Sequence, residues 1–205
     1  MIGIVNYGLG NIEAFANIYR RLGIQAHAAS TADDILRSDR LILPGVGAFD
    51  WAMERLRASG LREPLEDAVL RQKKPLLGVC VGMQMLADRS DEGITPGLGW
   101  IKGEVLRLPP CSKERPLPHM GWNDVATVAS DELFSGLDNP RFYFLHSYYF
   151  SPSQPSSRLA DTDYGIKFTS AVRNQHIYGT QFHPEKSHEW GVQLLRNFSQ
   201  IPGNA

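Results

Sequence analysis

At 205 residues the chain has the length of one domain, spanning 1–205, around a single sizeable core. Its hydrophobic share of 42% and charged share of 21% exclude a disordered or fibrous protein. A net charge of −1 offers nucleic acid or an anionic membrane no electrostatic hold, and no apolar run approaches the length of a membrane span. The N-terminal "MIGIVNYGLGN" has no basic region before its apolar residues, so it reads as a first strand rather than a signal peptide. Cys80 and Cys111 form no CxxC pair and are too few for a disulfide framework, which points to a reducing cytoplasm.

In chain order, "IGIVNY" predicts a strand, a turn follows at Gly8–Gly10, and "IEAFANIYRRLG" predicts a helix. Ala14, Ile18 and Leu22 recur there at a spacing of four, with Phe15 beside them. "IQAHAA" is a second strand, "TADDILRS" a short helix capped by Thr31, and "DRLILPG" a third strand. Helices over "FDWAMERLRASG" and "LREPLEDAVLRQ" lead to a fourth strand, "KPLLGVC". This alternation predicts an α/β fold with a mostly parallel central sheet flanked by helices.

The second half changes character. "IKGEVLRL", "MGWNDVATV", "RFYFLHSYYF", "KFTSAVR" and "HIYGTQF" read as strands, the last two joined by a hairpin turn at Asn174 and Gln175. An antiparallel-rich C-terminal half is therefore expected. "SPSQPSS" reads as a surface loop, Cys111 in "PPCSKE" as a loop residue, and "SHEWGVQLLRNF" as a closing helix.

"GVCVG" at 78–82 sits where a strand turns into a helix. A nucleophile elbow needs such a turn, with small neighbours and backbone amides aimed at the reaction centre. A buried cysteine at a strand end is the alternative. If Cys80 is a nucleophile, the backbone N–H of Val81 is a candidate oxyanion donor, and a helix N-terminus favours the thiolate.

A nucleophile needs a base. Of six histidines, His183 in "GTQFHPEKS" has Glu185 two residues on. In an extended segment such residues point the same way, and Pro184 favours that conformation at His183. A carboxylate behind the imidazole fixes its tautomer and stabilises its charged form. A surface His–Glu pair is the alternative. His146 in "FLHSYYF" is the rival base, without a nearby carboxylate. "LILPGVGAFD" adds a glycine-rich loop with exposed amides, at the sheet edge where parallel sheets form their crevice. "GLGNIE" has Glu13 where a dinucleotide fingerprint needs its third glycine, which argues against nucleotide binding. No cofactor or metal is expected, since Cys111 has no partners at ligand spacing.

Together, "GVCVGMQML", "LILPGVGAF" and "GTQFHPEKS" resemble the class I (triad-type) glutamine amidotransferases. "PHMGWN", "FYFLHSYY" and "LLRNF" narrow the resemblance to the glutaminase subunits of imidazole glycerol phosphate synthase, over essentially the whole chain. The resemblance implies Cys80 as nucleophile, His183 as base and Glu185 as its orienter. It implies Val46 and Val81 at the oxyanion positions, and Gly45, Gln84, Glu92, Ser147 and Tyr148 around the glutamine. Tyr143 and Lys186 fall near the interface with a cyclase barrel subunit. In that family the pair is a heterodimer in histidine biosynthesis, making imidazole glycerol phosphate and aminoimidazole carboxamide ribotide. The apparent glutaminase elements use all 205 residues, so the acceptor enzyme is expected on another chain.

Some residues depart from the pattern. Val81 stands where leucine is usual and Asn6 where aspartate is common, and "SHEWG" is bulkier than expected. Other functions therefore stay open: a paralogous glutaminase serving a sugar-modifying synthase of surface polysaccharide, a non-catalytic regulatory subunit, and a stand-alone γ-glutamyl hydrolase.

Overall fold

A computed structural model describes residues 1–109 and 116–203; Cys111 lies outside the described residues. The first half builds the expected alternation: β1 (Ile2–Val5), α1 (Ile12–Arg21), β2 (Ala26–Ala29), α2 (Ala32–Arg37), β3 (Arg40–Gly45), α3 (Phe49–Ala58), α4 (Arg62–Glu66), β4 (Leu76–Cys80) and α5 (Val81–Gln84). The second half is strand-rich: β5 (Arg89–Ser90), β6 (Gly103–Arg107), β7 (His119–Asp124), β8 (Ala126–Thr127), β9 (Arg141–His146), β10 (Tyr148–Pro152), β11 (Arg158–Asp163), β12 (Lys167–Asn174) and β13 (Ile177–Thr180). Helix α6 (His188–Gln200) follows.

The main sheet runs β2-β1-β3-β4-β13-β12-β10-β6-β5, with β11 and β8 branching from β12. Its first five strands are parallel, and the neighbours of β12 are antiparallel to it. The mixed architecture agrees with the sequence reading. Strands β1, β4 and β13 are buried along their whole length, as a parallel sheet covered on both faces requires. The Thr31 hydroxyl accepts from Asp34 N at 3.2 Å, and the Asp34 carboxylate accepts from Thr31 N at 3.0 Å, a full capping box. In α1 the buried side chains are Phe15, Ile18 and Tyr19, so the apolar face is rotated by about one residue from the Ala14–Ile18–Leu22 row. The larger rings win the interior.

The structure departs from the sequence reading in several places. "LREPLEDAVLRQ" is α-helical only to Glu66 and continues as a π-helical turn over Asp67–Arg71. "RFYFLHSYYF" is two strands broken at Ser147. His146 Nδ1 donates to Tyr148 O at 2.8 Å, turning the chain so that β9 pairs with β7 and β10 with β6 and β12. The hairpin turn is Gln175–His176, because Asn174 still pairs with Ile177, and Gln175 takes the positive φ of 55°. The segment "RLADTD" forms β11, which the sequence reading passed over.

The β7–β9 ribbon has two faces. Phe142, Phe144, His146 and His119 point into the core. Met120 opposite Leu145, and Trp122 opposite Tyr143, point outward. Among the described residues no helix is long and apolar enough to cross a membrane.

Candidate active site

Parallel register brings the three motifs together. Gly45 lies beside Cys80 at the ends of β3 and β4, and Thr180 lies beside Val79, so the residues after β13 emerge next to the cysteine. This is the carboxyl edge of the sheet, where α/β folds carry their crevices.

Cys80 has φ 55° and ψ −113°, a conformation that costs a non-glycine residue about 1–3 kcal/mol. The packing that holds it there is backbone on backbone. A Cβ on Gly82 would meet Leu43 O at 1.9 Å, and one on Gly45 would meet Gly82 N at 2.3 Å. The glycines around the cysteine are thus required by close approach. The helix that follows spans only Val81–Gln84, so its macrodipole is small and the surroundings of the sulfur are set by immediate neighbours instead.

His183 supplies the first of these. Its backbone N–H donates to Tyr143 O at 2.9 Å, and Ser187 Oγ donates to its carbonyl at 2.6 Å. Its Nδ1–H donates to Glu185 Oε1 at 2.8 Å, and the ring shares the wall of one cavity with Cys80. The pairing is as expected but the local geometry differs. Pro184–Lys186 is a 3-10 turn, and the turn brings the carboxylate under the ring. Burial opposes a charge on His183. Hydrogen bonds and charge from Cys80 and Glu185 overcome that opposition and raise its pKa to about 10.

His146 is ruled out as the base by its partners. Tyr148 O can only accept, so His146 Nδ1 carries the proton and Nε2 is an acceptor. His119 Nδ1 donates to that Nε2 at 2.9 Å, and His119 Nε2 accepts from Asn123 Nδ2 at 3.2 Å. Every member of this chain is neutral. Burial drives the His146 pKa down to about 3 and that of His119 to about 4, and a second positive charge beside a protonated His119 or His183 would disfavour protonation of His146 further.

A cavity of about 140 Å³ opens in front of Cys80 and His183. Val46, Val81, Gln84, Glu92, Ser147 and Tyr148 line it, all predicted from the sequence. Gly45 does not reach it; it packs beneath Val81 and Gly82, and Gly47 takes its place in the wall with φ +86°. Glu92 Oε2 accepts from Phe49 N at 2.9 Å, capping α3 from across the cavity. Burial raises its pKa, and that hydrogen bond counteracts the rise. Lys186 both lines the cavity and stands 5.8 Å over the Tyr143 ring, joining the site to the outer face of the ribbon.

Two residues escaped the sequence reading. Tyr7 donates to Pro44 O at 2.6 Å, pinning the glycine loop from β1. Gln181 Nε2 lies 3.8 Å from Cys80 Sγ. The only signal for Gln181 is an amide between Thr180 and Phe182, just past the end of β13.

A thiol beside an imidazole that is hydrogen-bonded to a carboxylate, at the wall of a small cavity, can cleave an amide or ester through a covalent thioester. The profile of the family Glutamine amidotransferase class-I matches residues 4–201. The imidazole glycerol phosphate synthase subunit HisH of Bdellovibrio bacteriovorus is 56% identical, covering 98% of this chain and 100% of that protein. The HisH subunit of Leptospira interrogans is 47% identical, with 98% of this chain and 100% of that one covered. In fold, a crystal structure of a glutamine amidotransferase superposes with a TM-score of 0.75 at 20% identity, over 97% of this chain and 98% of that one. A cysteine elbow facing a His–Glu pair, and full-length identity at this level, lead to one assignment: the chain belongs to the class I glutamine amidotransferases, in the group of HisH subunits of imidazole glycerol phosphate synthase.

Proposed function

We propose that this chain, as one amidotransferase domain over 1–205, hydrolyses glutamine at Cys80 and passes the ammonia to a cyclase barrel subunit. The observation that carries the reading is the Cys80–His183–Glu185 series at the wall of the cavity. His183, with its pKa raised to about 10, already holds the proton near neutral pH, and Sγ attacks the side-chain amide carbon of glutamine as the thiolate. The tetrahedral oxyanion lies toward the backbone amides of Val46 and Val81. The imidazolium protonates the departing nitrogen, releasing ammonia and leaving a thioester. His183 then deprotonates water, which attacks the thioester; glutamate leaves, and sulfur returns to the thiolate with the proton on His183. The sum is glutamine plus water giving glutamate plus ammonia. Gln84, Glu92, Ser147 and Tyr148 hold the substrate.

Free ammonia would protonate in water and lose its nucleophilicity, which favours a partner docked over the site. The outer face of the β7–β9 ribbon suits that partner. Met120 is 65% and Trp122 40% exposed, beside Leu145, Tyr143 and Lys186. A heterodimer through this face, producing imidazole glycerol phosphate and aminoimidazole carboxamide ribotide, follows from the likeness to HisH. A cytoplasmic site of action suits a thiolate that oxidation would inactivate.

Cys80→Ala tests the reading. Glutamate release by the reconstituted pair should vanish while cyclase activity with added ammonium persists. Residual glutaminase activity in Cys80→Ala would overturn it. Equal glutaminase rates for the lone chain and the pair would instead favour a stand-alone hydrolase.

A further inference from the structure

The reaction as written gives Gln181 no part, yet its environment is built around the sulfur. We propose that Gln181 is a positioning residue whose side-chain N–H holds the thiolate form of Cys80, aimed into the cavity. This rests on the reading of Cys80 as nucleophile.

The polarity of the amides follows from one backbone carbonyl. Tyr148 O can only accept, so the group of Gln84 facing it at 3.0 Å is Nε2. The same Nε2 lies 3.0 Å from the Gln181 side chain, so the Gln181 atom there must be the acceptor Oε1. Its NH₂ is then left to face Cys80 Sγ, at 3.8 Å. Gln181 is 0% exposed, and its own N–H is tied to Ser170 O at 2.9 Å. Neither end of the residue is free to turn the amide over without leaving two donors face to face.

The other neighbour of the sulfur makes this donor consequential. Leu145 O lies 3.8 Å from Sγ. A thiol can donate to it, but a thiolate cannot, and the carbonyl dipole then repels the charge. Leu145 O favours the thiol, whereas Gln181 N–H and His183 favour the thiolate. Gln181 is not part of the cavity wall, so it acts through Cys80 rather than on bound glutamine. The other titratable groups around the sulfur are not altered by a change at Gln181: His183 with Glu185 behind its ring, Lys186, His146, Tyr148 and Glu92 in the cavity wall, and Tyr7.

The test is the pH dependence of Cys80 alkylation by iodoacetamide in the full chain, read by mass spectrometry of the Cys80 peptide. Gln181→Met keeps the volume and removes the donor, and should move the alkylation midpoint up by about one pH unit. Gln181→Glu presents only oxygen and should move it further. In the reconstituted pair kcat for glutamine should fall about tenfold with KM changed by less than about twofold. An unmoved midpoint in either folded variant, or a loss confined to KM, overturns the proposal. If both variants misfold, the unaltered protein decides. The Gln181 side-chain N–H resonances should move with pH in step with the alkylation curve and stand still in Cys80→Ala; resonances indifferent to that curve overturn it. Glutaminase activity surviving in Cys80→Ala would remove the nucleophile reading, while the alkylation midpoint would still report on Gln181.

Discussion

Removing the Glu185 carboxylate tests how far the imidazole depends on its orienting partner. The His183 and Glu185 side chains are each 4% exposed, so solvent can neither screen the pair nor replace a lost member. Breaking one partner out of a buried, hydrogen-bonded charge pair costs about 3–5 kcal/mol. Here that cost falls on the state in which His183 is charged, which includes the transition state for ammonia departure. At about 1.36 kcal/mol per tenfold in rate, Glu185→Ala should slow glutamine hydrolysis roughly 10²–10⁴-fold. Glu185→Gln separates orientation from charge. Glu185 Oε2 is buried without a hydrogen-bond partner among the described residues, so the amide can keep its oxygen on His183 Nδ1 and put its NH₂ where no bond is lost. Its rate should fall between wild type and Glu185→Ala. The assay is glutamate release by the chain reconstituted with the cyclase subunit, with circular dichroism confirming the fold. A folded Glu185→Ala within about tenfold of wild type would refute the reasoning, because the carboxylate would then contribute no more than an ordinary exposed pair.

Three further outcomes follow from the same geometry. Gly82→Ala places a Cβ 1.9 Å from Leu43 O, a backbone clash no rotamer can relieve, and should cost at least about 3 kcal/mol by urea denaturation; a loss under about 1 kcal/mol would contradict it. His183 has its pKa raised from 6.5 to about 10, so its charged form is favoured by folding. The stability it adds over His183→Asn should be full below pH 6.5 and fade as pH rises to about 10, seen as converging urea midpoints; a gap that widens with pH would reverse the sign. Trp122→Ala removes an exposed ring from the outer ribbon and should weaken cyclase binding by about 2 kcal/mol, roughly thirtyfold, in titration calorimetry, with the lone chain's basal rate unchanged. Undiminished affinity would move the partner off this face.

What is local was legible in the residues alone. Gly78, Cys80 and Gly82 announce an elbow because a strand-to-helix turn under a closely packed backbone excludes side chains within a span of five residues. His183 and Glu185 are legible for the same reason: two residues separate them, and any compact turn brings the carboxylate to the ring, even the 3-10 turn that replaced the expected extended one. Tertiary structure decided what depends on distant partners. β11 carries two aspartates and no bulky apolar run, and Asp161 is buried in it only because Arg158 and Lys167 neutralise its charge from the same strand and the next. The break at Ser147 depends on which sheets β9 and β10 join, and periodicity does not encode a choice of partner. Gln181 reads as an irregular polar residue until the sheet brings it to Gln84, 97 positions away, whose amide a backbone carbonyl has already oriented. Residue identity sets which groups can donate, accept or ionise; only the fold decides which of them meet out of water, where a low dielectric strengthens each hydrogen bond.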